Sequence, residues 1–140
     1  MIWFKKFDLE TLNGPRNINM PTFVGIEYLE IGENSLKARM PVNERTKQPL
    51  GLLHGGASCV LAESLGSVAS WMCIDSEKQM AVGLEINANH LRPVTEGYVT
   101  GICTPVQVGR SVHVWNIELF NDAGKMNCIS RLTCAIKDRQ

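Results

Sequence analysis

Apolar and polar residues alternate with a period of two along most of this chain, and with a period near 3.6 along one central stretch. From Leu52 to Cys73 the sequence reads LLHGGASCVLAESLGSVASWMC. Val60, Leu61, Leu65, Val68, Ala69 and Met72 recur there at helical spacing, which predicts an α-helix following the His-Gly-Gly triplet. Glu63 is the only charge between Gly56 and Ile74, and Cys59, Ser67 and Ser70 stand at helical offsets from it. A helix this apolar is expected to be buried, and its small residues let other backbone approach closely. It is too polar for a membrane span. A carboxylate in the middle of a buried helix is costly unless it is paired, neutral or employed.

Around this helix the period-two segments predict strands. Asp8–Gly14 reads as a short helix with Asp8 as N-cap and Gly14 as its stop, and Pro15–Thr22 as a loop. Phe23–Ile31 and Ser35–Val42 read as two strands, the second alternating Leu36, Ala38, Met40 and Val42 with Lys37 and Arg39. After the helix, Met80–Arg92 places Val82, Leu84, Ile86 and Ala88 on one face, which ends in His90 and Arg92. Tyr98–Val106, Ser111–Phe120 and Met126–Lys137 complete the set, the last two joined by the hairpin signal Asn121–Lys125. In the final strand Met126, Cys128, Leu132, Cys134 and Ile136 share a face. The order implies an α+β fold, an antiparallel sheet with its helix on one face. Edges and an outer face left uncovered point to an oligomer joined partly edge to edge.

Composition narrows the class. The 140 residues fit one domain, 1–140, and 14 basic against 14 acidic residues give no net charge. Nothing there argues for a nucleic-acid or membrane partner. Five cysteines without a Cys-x-x-Cys pair read as reduced thiols of an intracellular, cytoplasmic protein, and the start MIWFKKFDLE lacks a secretory signal. His54, His90 and His113 show no metal-ligand spacing.

The segments RTKQPLGLLHGGASCVLAES (Arg45–Ser64) and VGLEINANHLRP (Val82–Pro93), with the Met-Ile-Trp start, resemble the hotdog-fold thioesterases. The likeness spans essentially the whole chain and falls in the branch that hydrolyses acyl- and aroyl-CoA thioesters. Its nearest members serve menaquinone biosynthesis, on 1,4-dihydroxy-2-naphthoyl-CoA, and enterobactin proofreading. The resemblance implies a curved antiparallel sheet wrapped around one long helix, and thioester hydrolysis needing water but no cofactor. It also implies a homodimer with the site at its interface, pairing further into a tetramer.

Residue chemistry gives that expectation content. Glu63 is either a helix carboxylate satisfied by neighbours or a general base or nucleophile for an acyl group. Ser67, one turn on, would hold Glu63 or the attacking water, or merely pack. Gly55 and Gly56 begin the helix, where free N–H groups and the dipole can polarise a carbonyl and stabilise its oxyanion; as plain turn glycines they would do neither. By resemblance the Gly55 N–H is the oxyanion donor, and Gln48 and His54 position the thioester. Gly55 and Glu63 lie eight residues apart, roughly 12 Å along one helix. One carbonyl can hardly touch both within a chain, whereas antiparallel helices of two subunits would bring them together. By resemblance Gly83, His90, Leu91, Arg92 and Pro93, with Gln107, Val108, Gly109, Arg110 and Ser111, hold the coenzyme; His113 reads as structural. Two alternatives stay open at this point: a hydratase or dehydratase on the same fold, and a non-catalytic acyl-CoA-binding module.

Overall fold

A computed structural model describes residues 1–15 and 17–140. In chain order its elements are α1 (Leu9–Asn13), α2 (Met20–Phe23), β1 (Glu27–Ile31), β2 (Leu36–Pro41), α3 (Gly55–Met72), β3 (Gln79–His90), β4 (Tyr98–Val108), β5 (Val112–Asn121) and β6 (Met126–Asp138). The strands form one antiparallel sheet in the order β1-β2-β4-β5-β6-β3. The sheet curves around α3, which touches every strand from β2 to β6. This is the arrangement expected from the sequence.

The alternating strands supply the core. Leu36, Ala38 and Met40 of β2, Val99 and Cys103 of β4, Trp115, Ile117 and Leu119 of β5, and Cys128, Leu132 and Cys134 of β6 are all fully buried. Against them α3 buries Leu61, Ala62, Leu65, Gly66, Ala69, Ser70 and Met72. Helix and sheet meet closely because glycine faces leucine: a Cβ on Gly66 would lie 2.5 Å from Leu132 Cδ2, and one on Gly101 2.6 Å from Leu65 Cδ1. Val60 and Val68, read as part of the core stripe, are partly buried: they pack against the core and also line cavities.

The Asp8 carboxylate accepts from Thr11 N at 2.7 Å, capping α1 as the sequence predicts. The hairpin at Asn121–Lys125 also forms, with Asn121 Oδ1 accepting from Ala123 N and Lys125 N, and Gly124 at φ +77°. Two expectations need correction. Within the stretch read as a loop, of which Arg16 lies outside the described residues, Met20–Phe23 forms a helical turn fixed by an Asn19–Thr22 capping box. The following strand therefore starts at Glu27 rather than Phe23, after a turn with Gly25 at φ +81°. Along β3 the predicted apolar face is broken by a bulge between Gly83 and Glu85. Ile86 and Ala88 pack on the core, while Leu84 is 60% exposed. β3 is an edge strand with Met80, Val82 and Leu84 uncovered. Among the described residues no helix is long and apolar enough to cross a membrane.

Candidate active site

The loop before α3 is built to present hydrogen-bond donors. Thr46, almost fully buried, donates to Pro41 O at 2.8 Å and pins the loop to the end of β2. Gln48 follows a short bridge between Lys47 and Leu53. Its Oε1 accepts from Leu50 N at 2.5 Å and Leu52 N at 3.4 Å. With the amide oxygen engaged by the loop, the Nε2 hydrogens remain as donors. His54 is the N-cap of α3, its Nδ1 accepting from Gly56 N at 2.8 Å. A neutral imidazole bonded this way carries its proton on Nε2. The Gly56 N–H is thereby consumed, so of the two glycine donors expected from the sequence only Gly55 N–H has no acceptor among the described residues.

Gly55 lines a cavity of about 330 Å³ with Gln48, Ser58, His90, Arg92 and Asn127, among others. His90 packs directly on Gly55: a Cβ there would stand 2.8 Å from His90 Nε2. Glycine is required by that approach, since its φ is not left-handed. The structure thus gathers Gln48, Gly55, His90, Leu91, Arg92 and Pro93 into one donor-rich hollow. His54 faces a separate hollow with Val60 and Arg45.

Glu63 lies elsewhere. It lines a cavity of about 460 Å³ with Ser67, Val68 and Trp71 of α3, Tyr28 of β1, and Leu12 and Pro21 of the N-terminal segment. The carboxylate passes close over β3, where a Cβ on Gly83 would meet its Oε2 at 2.6 Å. Gly83 therefore makes room for Glu63. Glu63 accepts no hydrogen bond from the described residues, so the reading of a carboxylate satisfied by neighbouring hydroxyls loses its support. Met72 and Phe23 do not join this wall. Met72 is fully buried, and Phe23 sits over another hollow beneath Arg45, 5.5 Å from its ring.

The two cavities share no lining residue. The coenzyme-binding candidates are split in the same way. His90 pairs with Cys128 and Val112 with Ala135, seven residues apart on β6, or about 24 Å. The Gln107–Ser111 hairpin thus sits at the Gly83 end of the sheet, and His90–Pro93 at the Gly55 end. Arg110 is exposed in that hairpin.

His113, read from the sequence as a structural residue, is buried in β5 beside the hairpin. Trp115 Nε1 donates to Ser70 Oγ at 2.7 Å, and His113 Nδ1 lies 3.0 Å from the same oxygen. Burial lowers the His113 pKa, partly offset by a hydrogen bond to the Gly109 backbone. The thiols move the other way. Burial pushes Cys73 and Cys128 up to about 11 and raises Cys59, Cys103 and Cys134 as well. Burial thus favours the neutral thiol over the nucleophilic thiolate at all five.

Asn127 was not foreseen. Parity along β6 assigns it to the face opposite Cys128, yet it is only 3% exposed. The cause is a bulge: Cys128 pairs with Leu119 but Met126 with Phe120, leaving Asn127 as the extra residue. Its Oδ1 is buried without a hydrogen-bond partner among the described residues, a defect costing about 1–3 kcal/mol.

A family model described as the thioesterase superfamily matches residues 50–128. The chain belongs to that superfamily, its curved sheet and central helix are the hotdog fold, and it is a thioester hydrolase. It is 54% identical over 136 residues to the 1,4-dihydroxy-2-naphthoyl-CoA hydrolase of Escherichia coli (strain K12), covering 97% of this chain and 99% of that protein. Identity to the proofreading thioesterase EntH of Cronobacter turicensis is 44% over 136 residues, covering 97% and 98%. The crystal structure of a mutant of thioesterase PA1618 from Pseudomonas aeruginosa superposes with a TM-score of 0.97 at 47% identity, covering 99% of this chain and all of that one.

Proposed function

We propose that this protein hydrolyses aroyl- or acyl-CoA thioesters at sites shared between two subunits. The observation that carries this reading is the separation of the two cavities. Hydrolysis needs an electrophile-stabilising donor and an attacking group at one carbonyl, and a single chain holds them apart. An antiparallel pair of α3 helices sets the Gly55 cavity of one subunit against the Glu63 cavity of the other. The uncovered edge of β3 supports such pairing, and two dimers then associate through sheet surfaces into a tetramer.

At that site the Gly55 N–H and Gln48 Nε2 donate to the thioester oxygen. Glu63 either takes a proton from a water, held with the help of Ser67, or attacks the carbonyl carbon itself. The carbonyl π pair moves onto oxygen, and the two donors hold the oxyanion. Its collapse breaks the C–S bond and releases the CoA thiolate, which takes up a proton given up by the attacking water. That proton passes through Glu63 in the base route, and in the covalent route is released when water opens the anhydride. In the covalent route water then hydrolyses the anhydride. The free acid and CoA leave, and no cofactor takes part. His54 Nε2–H is a further donor for positioning the acyl group. The coenzyme lies along His90–Pro93 of one subunit and Gln107–Ser111 of the other.

The acyl group occupies the Glu63 cavity. Trp71, Tyr28, Val68, Leu12 and Pro21 make its walls mainly apolar and in part aromatic, which suits a flat ring. The Escherichia coli relative's name supports 1,4-dihydroxy-2-naphthoyl-CoA, hence a role in menaquinone biosynthesis.

Subunit complementation tests the shared site. Glu63→Gln and Gly55→Ala proteins are each expected to release little CoA from benzoyl-CoA. Co-refolded in equal amounts, half the dimers are mixed, and each holds one intact site. The mixture should regain about a quarter of wild-type activity. Failure to regain activity, with mixed dimers demonstrated, overturns the shared site. Absence of CoA release by the wild type overturns the substrate class.

A further inference from the structure

We propose that Asn127 is a specificity-determining residue of the thioester site. Its carboxamide N–H₂ donates to the first amide carbonyl of the coenzyme's pantetheine arm as that arm leaves the Gly55 cavity. The inference rests on the CoA thioesterase reading above.

Three observations converge on it. The bulge in β6 adds one residue between Met126 and Cys128 and turns Asn127 off the outer face of the sheet. Bulges placed beside sites commonly re-aim one side chain in this way. Once turned in, Asn127 lines the cavity that holds Gly55 N–H, Gln48 and His90. Third, its oxygen is buried with no donor among the described residues. Turning the amide over would only exchange an unpaired acceptor for unpaired donors. An apolar side chain of similar size would cost less here, and since only the oxygen is both buried and unpartnered, the amide nitrogen is the group left to serve the cavity.

The geometry of the substrate then selects the partner. Gly55 N–H and Gln48 Nε2 already serve the two lone pairs of the thioester oxygen. Two methylenes beyond the sulfur, every CoA thioester carries an amide. Beside its donors Ser58, His90 and Arg92 the cavity has an apolar wall of Leu52, Leu53, Leu91, Pro93 and Val94. An arm of alternating methylene and amide groups matches that wall, with Asn127 as the buried polar group on it. Asn127 recognises the arm, not the acyl group.

Two truncated thioesters separate this role from a structural one. Benzoyl-N-acetylcysteamine keeps the first amide, and S-ethyl thiobenzoate lacks it. Wild type should prefer the former in kcat/KM. Asn127→Ala should shrink that preference roughly tenfold, mainly through KM, the value of one hydrogen bond to a buried group. Asn127→Leu, which keeps the volume, should shrink it equally with an unchanged or higher melting temperature. A structural defect would lower both activities and leave their ratio intact, and that result overturns the proposal. So does an unchanged ratio with full activity. If the wild type hydrolyses benzoyl-CoA and Glu63→Gln does not, failure here falls on Asn127 alone.

Discussion

The two cavities flanking α3 are made of different material. Around Gly55 the proposed working groups are main-chain N–H and a glutamine amide, set by a loop that Thr46 and the His54 cap hold in place. Around Glu63 the proposed working group is a side chain on the third turn of the helix, with its space secured by a glycine on β3. In the first half only Gln48 can be removed by trimming a side chain; the main-chain N–H of Gly55 is altered by displacing the backbone or crowding it. The second is abolished by changing one oxygen. The proposed donor and the proposed attacker are thus held by independent supports.

The comparison is broken most severely at the carboxylate. Glu63→Gln keeps the shape and removes the charge, and kcat for CoA release from benzoyl-CoA should fall about a thousandfold. A fall of less than tenfold would reassign the attacker. Crowding the donor comes second. In Gly55→Ala the new methyl meets His90 Nε2 at 2.8 Å, and kcat should drop about a hundredfold, the usual cost of one lost oxyanion donor. Stopped assays at saturating substrate measure both, and circular dichroism should show the fold retained.

The smallest effect concerns what anchors the helix beneath Glu63. The His113 pKa is lowered in the folded protein from its ordinary 6.5. Unfolded chains therefore bind the extra proton first, and stability rises with pH across that window. This contribution is complete above 6.5 and is lost as pH falls below it toward the folded value. Urea midpoints measured from pH 7.5 to 5.0 should decline for the wild type. His113→Asn should be less stable at pH 7.5 and show a shallower decline, isolating the one histidine from other titrating groups.

Much of this molecule is legible in its residues because the governing rules are local. The cap at Asp8, the hairpin turn at Asn121, period-two strands and the helical stripe from Val60 to Met72 each follow from neighbours in sequence. Glu63 stood out because a lone charge in an apolar helix needs a reason. The helix α2 was illegible, being a single turn set by one capping box and too short for any periodicity. The exposure of Leu84 was also hidden. Its apolar pattern is sound, but a bulge breaks the parity and the edge of β3 finds no cover within the chain. Asn127 failed for a related cause: one extra residue in β6 inverts inside and outside, and no residue type announces it. The split of the coenzyme candidates is a matter of sheet register, which strand-by-strand reading does not supply.

The small polar cluster of Ser70, Trp115 and His113 has a mechanical side. Apolar contacts fix how far a helix stands from a sheet, but they are non-directional and leave it free to roll about its own axis. A hydrogen bond has direction. Ser70 and Glu63 are seven residues apart, two turns along nearly the same azimuth of the helix. By tying Ser70 to β5, the cluster acts as a key in a slot. It sets the roll angle of α3, and through it the line along which Glu63 points.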